Sequence, residues 1–169
     1  MENSSFEIKK QRLAESVGEF IKYWGFKEIH GRIWVHVYLS KTPINATDLT
    51  KKLGVSKGLV SIALSELLAY QVIEKVNLGS AKSPGYQSST DLVQVIYNVL
   101  RNRELKLTTK ILHNIESLAE ETENDDPVIC EKLTKLQDMT TFAVDSLTKL
   151  LENKPISTGR LRTLMKIIS

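Results

Sequence analysis

The chain holds a single thiol, Cys130. It cannot close an internal disulfide and has no second thiol to share a metal, which excludes a disulfide scaffold or a zinc ribbon and makes a reducing compartment, the cytoplasm, the expected setting. Long hydrophobic runs are also lacking. No apolar stretch approaches the ~20 residues that cross a bilayer, so no membrane partner is expected. The opening residues Met1-Glu2-Asn3-Ser4-Ser5-Phe6 have no basic region followed by an apolar block, and a secretory signal is not expected. His30, His36 and His113 are scattered, without a Cys or an acid at ligand spacing, so no metal is expected. Glu120-Glu121 and Asp125-Asp126 lie in a polar stretch with no apolar pocket to shift a carboxyl pKa. No nucleophile–base pair, phosphate-cradling glycine loop or cofactor fingerprint is found; neither an enzyme nor a cofactor is expected.

Excess charge is scarce as well. Twenty-three Lys and Arg against 20 Asp and Glu leave +3, too little to announce a nucleic-acid partner. Its distribution is more telling. Residues 1–90 carry 12 bases against 8 acids, whereas residues 91–169 carry 11 against 12. Between Leu39 and Ser65, Lys41, Lys51, Lys52 and Lys57 face Asp48 alone, and local clustering of this kind is what attracts phosphate.

At 169 residues, 41% hydrophobic and 25% charged, the chain has the length and composition of a globular protein with a real core. From Phe6 to Trp24, Ile8, Leu13, Val17, Phe20, Ile21 and Trp24 recur at helical intervals, predicting an amphipathic helix that stops near Gly25. Gly31 to Leu39 is ambiguous. Ile33, Val35, Val37 and Leu39 alternate with Trp34, His36 and Tyr38 as in a strand, yet both sets are largely apolar and a buried helix fits equally well.

The next stretch is better punctuated. Asn45 with Asp48 three residues on predicts an N-cap, a short helix Ala46–Leu53 follows, and Gly54 suits a left-handed turn. Ser56 caps a second helix through about Tyr70. Val72 to Val76 reads as a strand, Asn77 to Gly85 as a flexible tip and Tyr86 to Ser88 as the return strand. Asp91 opens a long helix to about Glu121. Pro127 starts another, in which Ile129, Leu133, Leu136, Thr140, Ala143, Leu147 and Leu150 make a heptad-like seam with one polar position. A last short helix after Pro155 carries Leu161, Leu164, Ile167 and Ile168.

Leu49, Leu53, Val55, Val60, Leu64 and Leu67 are spaced to pack two helices across the turn at Gly54, a helix-turn-helix. That packing turns Ser56, Lys57, Gly58, Ser61, Ile62 and Ser65 outward. Small hydroxyl residues and a glycine allow a helix to lie deep in the major groove of double-stranded DNA. Ser56 stands where backbone amides greet a phosphate, Lys57 adds a mobile charge, and Lys51 and Lys52 are next to them in sequence. The strand, loop and return would form a wing, with Lys75 and Lys82 able to reach the backbone. A two-helix core with a glycine turn also occurs in proteins that never touch DNA; the wing and the acid-free face before Glu66 favour DNA.

The run from Leu53-Gly54-Val55-Ser56-Lys57-Gly58 to Leu67, preceded by Gly31-Arg32-Ile33-Trp34 and Tyr38-Leu39, resembles the GbsR-type (glycine-betaine synthesis repressor) branch of the MarR transcriptional regulators. The likeness extends from about Leu13 to Lys106. It implies helix for Gly31 to Leu39, a homodimer with one recognition helix per half-site, and a dimer interface built from helices at both chain ends. The sequence departs from the pattern at Ser65, where an arginine is common, at Gln71, where a glycine usually precedes the wing strand, and in a wing tip without its usual arginines. The expected fold is therefore mainly α: a MarR-like winged helix-turn-helix with a small β-hairpin wing and a helical dimerisation region. An N-terminal packing and dimerisation helix spans 1–28, the DNA-binding module 29–90 and the C-terminal dimerisation region 91–169. The expected function is regulation, most simply repression, at a pseudo-palindromic operator; the competing expectation is a winged-helix module that binds a protein partner. Tyr23, Trp24, Phe26, Trp34 and Tyr38 gather near the junction of the first two helices. Tyr23, Trp24, Trp34 and Tyr38 could cage a quaternary ammonium effector by cation–π attraction, since some members of the branch respond to choline-like compounds. Helical spacing alone explains the same aromatics as core.

Overall fold

The computed structural model describes residues 2–79, 83–122 and 126–152. Lys82 and the helix expected after Pro155 lie outside the described residues. The chain divides into two compact units, Met1–Thr90 and Asp91–Ser169.

In the first unit α1 (Glu2–Lys22) packs on α2 (Glu28–Tyr38). A Cβ on Gly31 would stand 2.8 Å from the Gly18 backbone, and one on Gly18 would stand 2.7 Å from the Glu28 carbonyl oxygen. Both positions need glycine for space, because the two backbones meet there. Ala14, one turn before Gly18, is fully buried, and Lys10 another turn back is buried too. The first helix is therefore where periodicity puts it, but its buried face differs from the apolar one. Phe6, Leu13 and Phe20, seven residues apart, stay exposed because the smaller residues permit the closer helix contact.

Gly31 to Tyr38 is helix. Ile29, His30, Gly31, Ile33, Val35, His36 and Val37 are all buried, and a helix buried on nearly every side has no polar face to reveal its period. A two-residue strand, β1 (Ile44–Asn45), leads into α3 (Ala46–Leu53). The Asn45 side chain accepts from the Asp48 amide at 2.9 Å, the cap predicted by the sequence. Gly54 closes α3 at φ +64°, and Ser56 caps α4 (Lys57–Ala69) by accepting from the Leu59 amide at 3.2 Å. Leu49, Leu53, Val60, Leu64 and Leu67 are buried between these helices, with Val55 partly exposed.

The wing strands are β2 (Glu74–Val76) and β3 (Gly85–Gln87). They join β1 in an antiparallel sheet of order β1-β3-β2, with Tyr86 opposite both Ile44 and Lys75. The third strand was not foreseen; two residues are too few to show an alternation. Gln71, where the related pattern has glycine, sits at φ +56°, a left-handed conformation that costs a side chain more than it costs glycine.

In the second unit Asp91 caps α5 (Leu92–Val99) by accepting from the Val93 and Gln94 amides. The run continues through a π-helical segment, Leu100–Leu105, into α6 (Lys106–Glu121), against which α7 (Pro127–Glu152) packs. The expected seam of α7 divides. Leu133 and Thr140 are buried, whereas Ile129, Leu136 and Leu150 are exposed together with Met139 and Phe142. Thr140 is accommodated because its hydroxyl donates to the Leu136 carbonyl at 2.8 Å.

Candidate nucleic-acid interface

The helix-turn-helix is held from behind. Arg32 of α2 donates to the Leu53 carbonyl at 3.2 Å, satisfying a backbone acceptor at the end of α3 beside the Gly54 turn. Gly31 lets α1 approach at the same place. The Gly-Arg pair that carries part of the family resemblance thus has a structural role one layer behind α4. Gly18 escaped the sequence reading, although Ala14 and Gly18, four apart, are the signal of a close helix contact.

Held this way, α4 turns Val60, Ala63, Leu64 and Leu67 inward. Ser56, Lys57, Gly58, Ser61, Ile62 and Ser65 are all exposed along its other side. A Cβ on Gly58 would meet nothing within 4 Å, so nothing inside the chain requires a glycine there. The Lys57 and Gly58 amides belong to the first helical turn, which has no intrahelical acceptors to offer them. The only acid of α4 is turned away from this surface. Glu66 accepts from Lys27 Nζ at 2.5 Å and lies 2.5 Å from His30 Nε2, both from the start of the α2 region. The Lys27 hydrogen bond, supported by His30, holds the Glu66 carboxyl below the usual range and keeps it ionised. His30 Nδ1 accepts from the Lys27 amide at 3.3 Å, so Nε2 is the nitrogen that donates to Glu66.

The lysines predicted alongside the reading helix separate. Lys51 and Lys57 are exposed, and Lys75 projects from β2. Lys52 instead faces α1, with Nζ 3.8 Å from the Glu7 carboxylate. The aromatic candidates separate too. Trp34 stacks on Tyr38 at 4.9 Å, and its indole donates to Ser88 Oγ at 3.1 Å, which in turn donates to the Val72 carbonyl at 2.9 Å. This pair ties α2 to the base of the wing. Trp24 has its ring contact with Phe20, and Tyr23 is 92% exposed. Neither is core in the single chain, and Phe26 packs instead with His30 and Tyr70. Among the described residues no group of His, Cys, Asp and Glu is arranged to hold a metal, and no helix is long and apolar enough to cross a membrane.

No protein-family model matches the chain. The HTH-type transcriptional repressor OpcR of Bacillus subtilis is 22% identical over 104 residues, 62% of this chain and 56% of the repressor, so the match spans little more than half of that relative. The putative HTH-type transcriptional regulator YvaV of the same organism is 24% identical over 135 residues, 77% of this chain and 76% of its own. A solved crystal structure of a transcriptional regulator superposes with a TM-score of 0.72, at 12% identity, over 85% of this chain and 96% of that one. The fold is that of a winged helix-turn-helix protein, and the chain is similar to proteins of the helix-turn-helix regulator kind.

Proposed function

We propose that this chain is a sequence-specific DNA-binding transcriptional regulator, a repressor in the simplest reading, that inserts α4 into the major groove. The observation that carries the reading is the outward face of α4. Ser56, Lys57, Gly58, Ser61, Ile62 and Ser65 are exposed, and the one acid of the helix is engaged by Lys27 and His30 on the far side. Names of the relatives agree with this reading. Lys51, Lys75 and Lys82 supply phosphate contacts. Lys52 is the weakest member of the set because it is directed to Glu7.

The protein works as a homodimer on a pseudo-palindrome, with half-sites about one helical turn apart. Exposed apolar side chains support this: Phe6, Leu13 and Phe20 on α1, and Leu136, Met139 and Phe142 on α7. Surfaces of this kind are uncommon on monomers unless something covers them. Residues 1–28 and 91–169 serve dimerisation and 29–90 serve DNA. Assignment to the GbsR-type branch rests on Gly31-Arg32 and on the Val55-Ser56-Lys57-Gly58 start of the reading helix.

Lys57→Glu tests the interface. With an operator enriched from genomic fragments, the variant is expected to lose roughly 10- to 100-fold in affinity, the ~1–3 kcal/mol of a direct contact in the groove. Circular dichroism and sedimentation should match wild type. Undiminished binding by the variant would place the interface elsewhere. The small net charge keeps one second reading in view, a winged helix that binds a protein partner. It predicts that no DNA is retained even at low salt.

A further inference from the structure

Neither the reading helix nor the wing uses the cleft between α1, α2 and α3. Glu7, Ile8, Gln11 and Arg12 of α1, His36 of α2 and Lys52 of α3 line a cavity of about 550 Å³. That size lies within the usual range for small-ligand sites. Its charge is one-sided. Glu7 is the one acid of the lining, and it is divided between Lys52 at 3.8 Å and the buried Lys10 at 4.0 Å. Arg12 has no hydrogen-bond or ion-pair partner among the described residues. Two cations of the lining, Arg12 and Lys52, therefore stand against one carboxylate, which the buried Lys10 also approaches.

His36 adds no charge. Burial, with Lys10 and Lys52 nearby, lowers its pKa to about 4, so the ring is neutral at physiological pH. The Gln11 amide nitrogen donates to Glu15 at 3.0 Å, which turns the Gln11 oxygen toward His36 Nε2 at 3.2 Å. Nε2 carries the proton, and Nδ1 is a buried nitrogen with no partner. Nδ1 is itself sealed from solvent, so the polar groups that the cleft offers a ligand are the Arg12 guanidinium and the Lys52 ammonium.

We propose that the cleft binds a small organic anion, a molecule bearing a carboxylate or phosphate group, whose charged oxygens are met by Arg12 and Lys52 and whose carbon skeleton lies against Ile8. Arg suits either group because its planar fork matches two oxygens at once. As a binding site the cleft is independent of the regulator reading. As a signal-receiving site it rests on that reading, because Lys52 stands in the last turn of α3, directly before the Gly54 turn that aims α4.

Calorimetric titration of the full chain with malate and with glycerol 1-phosphate tests the site, with tetramethylammonium as a probe of opposite charge. At least one anion is expected to bind saturably, and Arg12→Gln is expected to weaken it roughly tenfold or more, as befits loss of a charge-assisted pair. Lys57→Gln should bind the anion as wild type does. Arg12 is exposed, so its substitution places no burden on the core, and circular dichroism verifies the fold. Binding of malate alone identifies carboxylates as the ligand class, and binding of glycerol 1-phosphate alone identifies phosphates. No saturable binding of either anion, equal affinity in Arg12→Gln, or a comparable response to tetramethylammonium would overturn the proposal. DNA retention is measured separately on the same preparations, so loss of the regulator reading cannot be mistaken for loss of this site.

Discussion

The two units differ in what they do with their apolar residues. In Met1–Thr90, Ile33, Leu49, Leu64, Val35 and Val60 are sealed inside, and the helix-turn-helix closes around them. In Asp91–Ser169, the buried apolar side chains among the described residues are Ile115, Leu133 and Leu151. Leu107, Ile111, Leu118, Leu136, Met139 and Phe142 meanwhile lie on exposed surface. The first unit carries a sealed core around α2, α3 and α4, although α1 leaves Phe6, Leu13 and Phe20 on its surface. The second consists of amphipathic helices whose apolar faces are only partly covered among the described residues, the kind of surface on which the proposed dimer rests. Apolar content alone therefore does not tell a sealed core from an apolar surface; burial does.

The sharpest way to break this comparison is a matched pair of leucine truncations. Leu49→Ala removes a side chain with no exposed surface and is expected to cost about 2–5 kcal/mol in denaturant unfolding. Leu136→Ala removes one that is half exposed, and in dilute protein it should change stability by no more than about 0.5 kcal/mol. Its effect belongs in sedimentation, as weaker concentration-dependent association. Equal costs for the two in dilute protein would erase the distinction between the units.

Acid should separate them next. His36 of the first unit has a folded pKa of about 4, below the ordinary 6.5. The unfolded chain therefore binds the proton more readily, so this contribution is intact above pH 6.5 and is lost as pH falls toward 4. Between pH 7.5 and 5 the loss amounts to about 2 kcal/mol. Glu66, whose pKa is lowered by Lys27, adds its own loss only at more acid pH, below the ordinary carboxylate value. Both tryptophans, Trp24 and Trp34, belong to the first unit, so their fluorescence follows it alone. A pH-independent fluorescence midpoint over this range, or a slope unchanged in His36→Gln, would show that His36 is not the group responsible.

Local chemistry was the most legible part of the sequence. Asn45, Gly54, Ser56 and Asp91 each declare a helix end through an interaction completed within a few residues, and the structure contains all four. The outward face of α4 was legible for the same reason, since its inward partners recur at fixed spacing. Facts decided by distant neighbours were not. Whether α1 buries Phe20 or Gly18 depends on Gly31 in another helix. Whether Lys52 serves DNA or Glu7 depends on the approach of α1. The α7 seam reads as one stripe, but α6 occupies only part of it. Tyr23 and Trp24 looked like core or cage because aromatic spacing carries no information about which neighbour arrives.

Within the first unit, smaller effects sharpen the division between residues that serve the fold and residues that serve a partner. Ser56 serves the fold at least in part: its hydroxyl caps α4, and Ser56→Ala is expected to cost about 1 kcal/mol in thermal or denaturant unfolding. If stability is unchanged, the cap is not stabilising and Ser56 is free for contact alone.

Gly58 gives a smaller stability effect than Ser56 and the cleanest division. It lies in the first turn of α4 at an ordinary helical φ, with open space where a Cβ would go. Neither strain nor crowding within the chain accounts for it, and glycine in a helix is about 0.5–1 kcal/mol worse than alanine. Gly58→Ala is therefore expected to stabilise the protein by up to about that amount, less if the helix end frays. If DNA backbone fills the space in the complex, the same methyl group should weaken operator binding while the fold gains. Opposite signs in the two measurements would mark Gly58 as a residue kept for close approach to a partner. A variant that is more stable and binds DNA undiminished would mean that the duplex does not come near this turn, and the docking of α4 would have to be rotated away from it.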